Sequence, residues 1–209
     1  MFKIFNRKLD LEGVNLHFID THTHIFPDNL AKRSIETLVE KLPKEIQREV
    51  PTSNGTFTGL VESMKNGGID ISVVLPVVTN PKHFDTVNKW AKEINGKDGI
   101  ISFGGIHPEN ENIEEKLEFI KNLGLKGVKL HPDYQNTFID DEKYIKIIKK
   151  CVELELYVVI HAGLDAGLPS VVHCPPDRVL NMLNAVYGDE IPQKRLIILA
   201  HLGGCDMYK

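Results

Sequence analysis

The chain has 209 residues, 42% of them hydrophobic and 26% charged, with a formal net charge of -4 and a pI near 6.1. That is enough to bury a sizeable core as one domain over residues 1–209, and it excludes a disordered or collagen-like chain. The mild acidity leaves no basic footprint for a nucleic-acid backbone, so no nucleic-acid partner is expected.

The first apolar run is HFIDTHTHIF, residues 17–26. On a strand, Asp20, His22 and His24 share one face while Ile19, Thr21 and Thr23 share the other. Residues 27–55 form a long, polar connection, and a loop of that length in a compact domain is expected to be an inserted lid. A helical stripe follows at Phe57, Leu60, Val61 and Met64, then a strand over 69–77. Val87, Trp90, Ala91 and Ile94 mark the next helix and 100–107 the next strand. Ile113, Leu117 and Ile120 form another stripe, with Asn112 and Glu115 in capping-box spacing and Gly124 as the stop. Strands over 125–131, 156–163 and 196–204 alternate with stripes at Ile145, Ile148 and Val152 and at Val179, Met182, Leu183 and Val186. The Trp and Met residues lie on ordinary core faces.

Six strands alternating with helices give a parallel α/β sheet, either open and doubly wound or closed as a (β/α)8 TIM-type barrel. The histidines decide between them. His24, His107, His131, His161 and His201 all fall at C-terminal strand ends, where barrels build their sites. No Gly-rich phosphate loop follows any strand, as an open-sheet nucleotide binder would require. The expected fold is therefore the barrel, with about six of its eight strands present and its C-terminal part incomplete. Cys151, Cys174 and Cys205 are odd in number and far apart, which fits a reducing cytoplasm and no disulfide framework. No apolar run is long enough for a signal peptide or a membrane span, so neither export nor a membrane partner is expected.

A lone histidine at a strand end is usually a hydrogen-bonded structural group, and His107 in FGGIHPE reads that way. The set reads differently, because His22, His24, His161 and His201 converge at a barrel mouth although they are remote in sequence. Neutral imidazoles suit zinc and other borderline divalent metals. A catalytic site of that kind keeps three protein ligands and an open position whose water has its pKa lowered to about 7. His22, His24 and His161 fill those three places, and His201 is the candidate for proton transfer.

The ordered motifs DTHTH, GVKLHP, VVIHAG and LAHLGG resemble the amidohydrolase superfamily of metal-dependent barrel hydrolases. The branch they look most like contains aminocarboxymuconate semialdehyde decarboxylase, and the resemblance runs from about residue 17 to the end. It implies His22, His24 and His161 as ligands of one divalent ion, with zinc expected and manganese or iron as alternatives. It implies His201 as a general base or electrostatic partner, and GLPSVVHCPPDRV brings His173 near the site mouth. Lys129 and His131 share strand parity, and with Asp133 and His173 they are assigned to a small-molecule substrate. A fourth-strand lysine is carbamylated between two metals in some branches; one metal is expected here. Asp20 is read as a group that orients the ligating histidines.

The expected activity is metal-dependent hydrolysis of a small polar amide, ester or lactone. The alternatives are non-oxidative decarboxylation of a small unsaturated acid, or a barrel remnant that binds metal without turnover. Phosphoester cleavage of the TatD type ranks lower, because GVKLHP lacks the glutamate that type would place there. The resemblance also implies an aspartate from an eighth strand, and a barrel of this kind takes about 250 residues; Asp206 is no substitute by position. A longer protein is the first explanation expected, strands supplied by another chain the second, a natural fragment the third. An exposed parallel edge makes a homo-oligomer a further expectation.

Overall fold

The structure, a computed structural model, describes residues 17–44, 53–168, 170–189 and 192–207. Its strand segments are β1 (Ile19–Thr23), β2 (Ile71–Val74), β3 (Ile100–Ser102), β4 (Gly104–Gly105), β5 (Gly127–Leu130), β6 (Tyr157–Ile160) and β7 (Ile197–Leu199). They pair in chain order, β1-β2-β3 and β4-β5-β6-β7, and every pair is parallel. The third expected strand is split at Phe103, whose N–H instead donates to the Val74 carbonyl at 2.9 Å, so six strands of sequence become seven segments.

Helices fill the connections: α1 (Asp28–Lys41) and α2 (Phe57–Gly67) after β1, α3 (Phe84–Ile94) after β2, α4 (Ile113–Asn122) after β4, α5 (Glu142–Glu153) after β5 and α6 (Pro176–Tyr187) after β6. This is the α/β order of a TIM-type barrel. Within the expected lid, residues 28–41 form α1, whereas residues 45–52 lie outside the described ones. Among the described residues no helix is long and apolar enough to cross a membrane.

Each strand divides its side chains between two layers. Val128, Leu130, Val158 and Ile160 face the helices and join Leu117, Ile120, Ile147, Ile148 and Met182 in the main core. The other face carries a smaller cluster of Leu75, Phe103, Val159 and Ala200. By strand parity Val159, two residues before His161, lies one layer down from that histidine. Gly127 belongs to this inner face for a steric reason: a Cβ there would meet the Tyr157 carbonyl oxygen at 2.4 Å and the Phe103 ring at 2.6 Å.

Two local expectations are corrected. Asn112 precedes α4 with φ at +52° and makes no side-chain cap, so the spacing with Glu115 is not a capping box. In α5 the fully buried residues are Tyr144, Ile147, Ile148 and Cys151. The helix is therefore rotated from the stripe expected through Ile145 and Val152, because buried Tyr144 anchors its first turn through a hydroxyl bond to Gln135.

Candidate functional site

His22 lies inside β1 and His24 just beyond it, so both project from the same side of the strand end. Their Nε2 atoms are 3.1 Å apart. The Leu75 carbonyl can only accept, so His24 Nδ1 is the protonated nitrogen at 2.8 Å from it, and the lone pair is left on Nε2. Two nitrogens each bound at about 2.0–2.1 Å in a tetrahedral site stand roughly 3.3 Å apart, so this pair fits one ion. Asp20 accepts from the His22 amide at 3.1 Å, which fixes the backbone, and its charge acts on the His22 ring in the direction opposite to burial.

Lys129 is central in β5 and fully buried, with Nζ 3.5 Å from His22 Nε2. Among the described residues no carboxylate pairs with it, and burial pushes its ammonium down to about 7. His24 is reached by solvent at one edge and crowded by protein elsewhere. Burial first and the Lys129 charge second hold His22 near 4 and His24 near 3, so both rings are neutral donors at neutral pH.

His201 follows β7 in a short 3-10 turn, and its Nε2 lies 3.0 Å from His161 Nδ1. Its ring is 5.2 Å from that of His22 and 4.7 Å from that of His161. His161 therefore joins the first pair through His201. Its other nitrogen, Nε2, faces the opposite way, 3.7 Å from Asp133 Oδ2 and 3.9 Å from Asp165 Oδ2.

Behind His161 lies a second group. His131 stacks on His161 with ring centroids 4.1 Å apart, and its Nε2 is 3.5 Å from Asp165 Oδ2. One atom each from His131, His161 and Asp165 lies within 4.8 Å of the others, a spacing that could hold a metal ion. Asp133 Oδ1 accepts from both the amide and Nδ1 of His173, at 3.1 and 3.0 Å. His173 is thus buried against Asp133.

Sequence reasoning missed two residues here. Asp165, four positions after His161 in HAGLDAG, carries no periodic signal because it sits in a loop. Gln135 is buried, and its amide makes four bonds: it accepts from the His131 amide and the Tyr144 hydroxyl and donates to the Val78 and Ile106 carbonyls. It ties three strand ends to α5 beneath the site. His107 makes local turn bonds only, receiving the Glu109 amide on Nδ1.

The amidohydrolase family model matches residues 19–206. No curated protein matches the chain. Among solved structures, it is similar to 5-carboxyvanillate decarboxylase from Novosphingobium aromaticivorans complexed with manganese and 4-hydroxy-3-methoxy-5-nitrobenzoic acid, at TM-score 0.54 and 17% identity. That match covers 74% of this chain and 55% of the other. It is also similar to the IDCase of Metarhizium anisopliae in apo form, at 0.53 and 18% over 83% of this chain and 55% of that one. A third similar structure is a dihydroxybenzoic acid decarboxylase from Polaromonas with bound manganese and 2-nitroresorcinol, at 0.51 and 14% over 71% and 50%. The chain thus matches about half the length of each of these structures.

Proposed function

The chain belongs to the amidohydrolase family, and from that premise we propose that it is a metal-dependent enzyme acting on a small carboxylated substrate, with non-oxidative decarboxylation as the leading reaction. The observation that carries the reading is Lys129, a buried amine beside His22 with no carboxylate against it among the described residues, whose charged form burial disfavours and an incoming anion would restore. A buried cation of this kind is stable when it receives an anion. The substrate carboxylate is that anion. Solved structures of similar fold named as decarboxylases support the choice of reaction over hydrolysis.

The residues that would hold the metal are His22 and His24 through Nε2, with His161 as the third, on the Nδ1 side that turns toward His201. A divalent ion there supplies Lewis-acid polarisation of a substrate oxygen. Manganese is the first ion to test and zinc the second.

In the decarboxylation the bond between a ring or vinyl carbon and its carboxylate breaks, carbon dioxide leaves, and a proton is delivered to that carbon. Lys129 holds the anion in place, and the low-dielectric floor beneath it, built from Val159, Phe103 and Leu75, keeps it out of water. His201 is our candidate to hand over the proton, since its ring stands 5.2 Å from that of His22 and 4.7 Å from that of His161 at the edge of the proposed metal site. His131, Asp133 and His173 line the far side of His161.

Hydrolysis of a lactone, ester or amide is the second reading, favoured by the same histidines and by the exposed side of His201. The test is a screen of the manganese-loaded chain against carboxylated phenols, followed by carbon dioxide release, beside lactones and amides, followed by acid release. Carbon dioxide release that falls at least tenfold in Lys129→Met is the expected result. Acid release from lactones with no carbon dioxide from any carboxylated phenol would put hydrolysis first.

A further inference from the structure

We propose that the chain carries a second divalent-cation site on the far side of His161, formed by His131 Nε2, His161 Nε2 and Asp165 Oδ2, with Asp133 Oδ2 turned toward it. The site is separate from the His22 and His24 pair and does not depend on which reaction the enzyme performs. Three ligand atoms on three residues lie within 4.8 Å of one another, with His131 and His161 each facing the same Asp165 oxygen at 3.5 and 3.9 Å. Ligands held at 2.0–2.2 Å from one ion span about that range.

The independent observation is the set of orphaned atoms. Asp133 Oδ2 and His161 Nε2 are buried without a hydrogen-bond partner, and they face each other at 3.7 Å. The Asp133 side chain is only 1% exposed, and its other oxygen already accepts two bonds from His173. An unpartnered carboxylate oxygen in the interior is costly, and a cation beside it removes the cost. Oxygen and imidazole donors together suit manganese or zinc.

Occupation has a local consequence. The Tyr134 amide donates to His131 Nδ1 at 3.4 Å, a long bond. An ion on Nε2 places the ring proton on Nδ1, so that bond is given up. With both sites filled, His161 would ligate through both nitrogens as an imidazolate, its ring proton taken up by His201 Nε2 3.0 Å from Nδ1.

The experiment is equilibrium dialysis of the full chain against manganese, with metal per chain read by elemental analysis and folding checked by circular dichroism. Parent protein is expected to hold two ions, Asp165→Asn one, His24→Asn one, and the double variant none. His131→Asn is the second probe of the same site and is also expected to hold one. If Asp165→Asn and His131→Asn both keep the parental metal content, the inference is overturned. Loss of an ion in those two variants with full content in His24→Asn would uphold this site and sink the His22 and His24 assignment instead.

Discussion

At the scale of single residues, the site depends on polar groups that are satisfied by burial geometry. Gln135 is the clearest case, since its amide fills four partners at once. Gln135→Leu keeps the volume and strands all four, at about 1–3 kcal/mol for each unsatisfied group before relaxation. A net loss of roughly 3 kcal/mol in urea unfolding is expected, and a loss below about 1 kcal/mol would show that Gln135 does not anchor these strand ends. His107 gives a pH test. Burial, opposed by Glu109, lowers its pKa, and its Nδ1 must stay unprotonated to accept the Glu109 amide. The folded value lies below the unfolded one, so the contribution is complete above about pH 6.5 and is lost as pH falls below it. Comparing urea midpoints at pH 7.5 and pH 5, His107→Asn should fall less than the parent. An equal fall in both would remove His107 from the account.

Elements were more legible than the contacts between them. Short apolar runs rich in Val and Ile located the strands because both faces of these strands are covered, although the run over 100–107 is split at Phe103, and the strand-end histidines were read from where those runs end. Asp165 and Gln135 lie in loops, where no period marks a polar residue that will be buried. The Asn112 spacing misled because a cap needs extended backbone before the helix, and Asn112 adopts the left-handed conformation. The junction of β6 and β7 shows how loops set the site. Gly163 has φ at +80°, and a Cβ there would lie 2.2 Å from the Cys205 amide nitrogen. Cys205 bonds to both Ala162 and Leu164, so this clasp holds His161 and His201 in register. Gly163→Ala must open it. Gly68 is the control, with φ at +68° and nothing near its Cβ position. Gly68→Ala should cost about 1–2 kcal/mol of unfolding free energy, and Gly163→Ala at least about twice that. Equal costs would show that the clasp yields without strain.

At the scale of the whole molecule, the inner face is the feature that stands out. Ile101, Tyr157 and Ile198 are 36%, 43% and 44% exposed, although each lies on an inner strand position, the first two between buried neighbours and Ile198 between partly buried ones. By parity they sit one layer below Phe103, Val159 and Ala200, so apolar surface continues down the strands past the point where the protein covers it. Among the described residues β1 and β7 each pair on one side only, which leaves a parallel edge beside this surface. Exposed edges and contiguous apolar patches both favour association. The isolated chain is therefore expected to self-associate in sedimentation across a concentration series. Ile101→Thr combined with Ile198→Thr should shift it toward monomer while leaving metal per chain unchanged, because neither residue touches the histidines in the contacts described. Parent protein that stays monomeric throughout would overturn this. Association that persists undiminished in the double variant would place the contact elsewhere, with the free edges of β1 and β7 the next surfaces to alter.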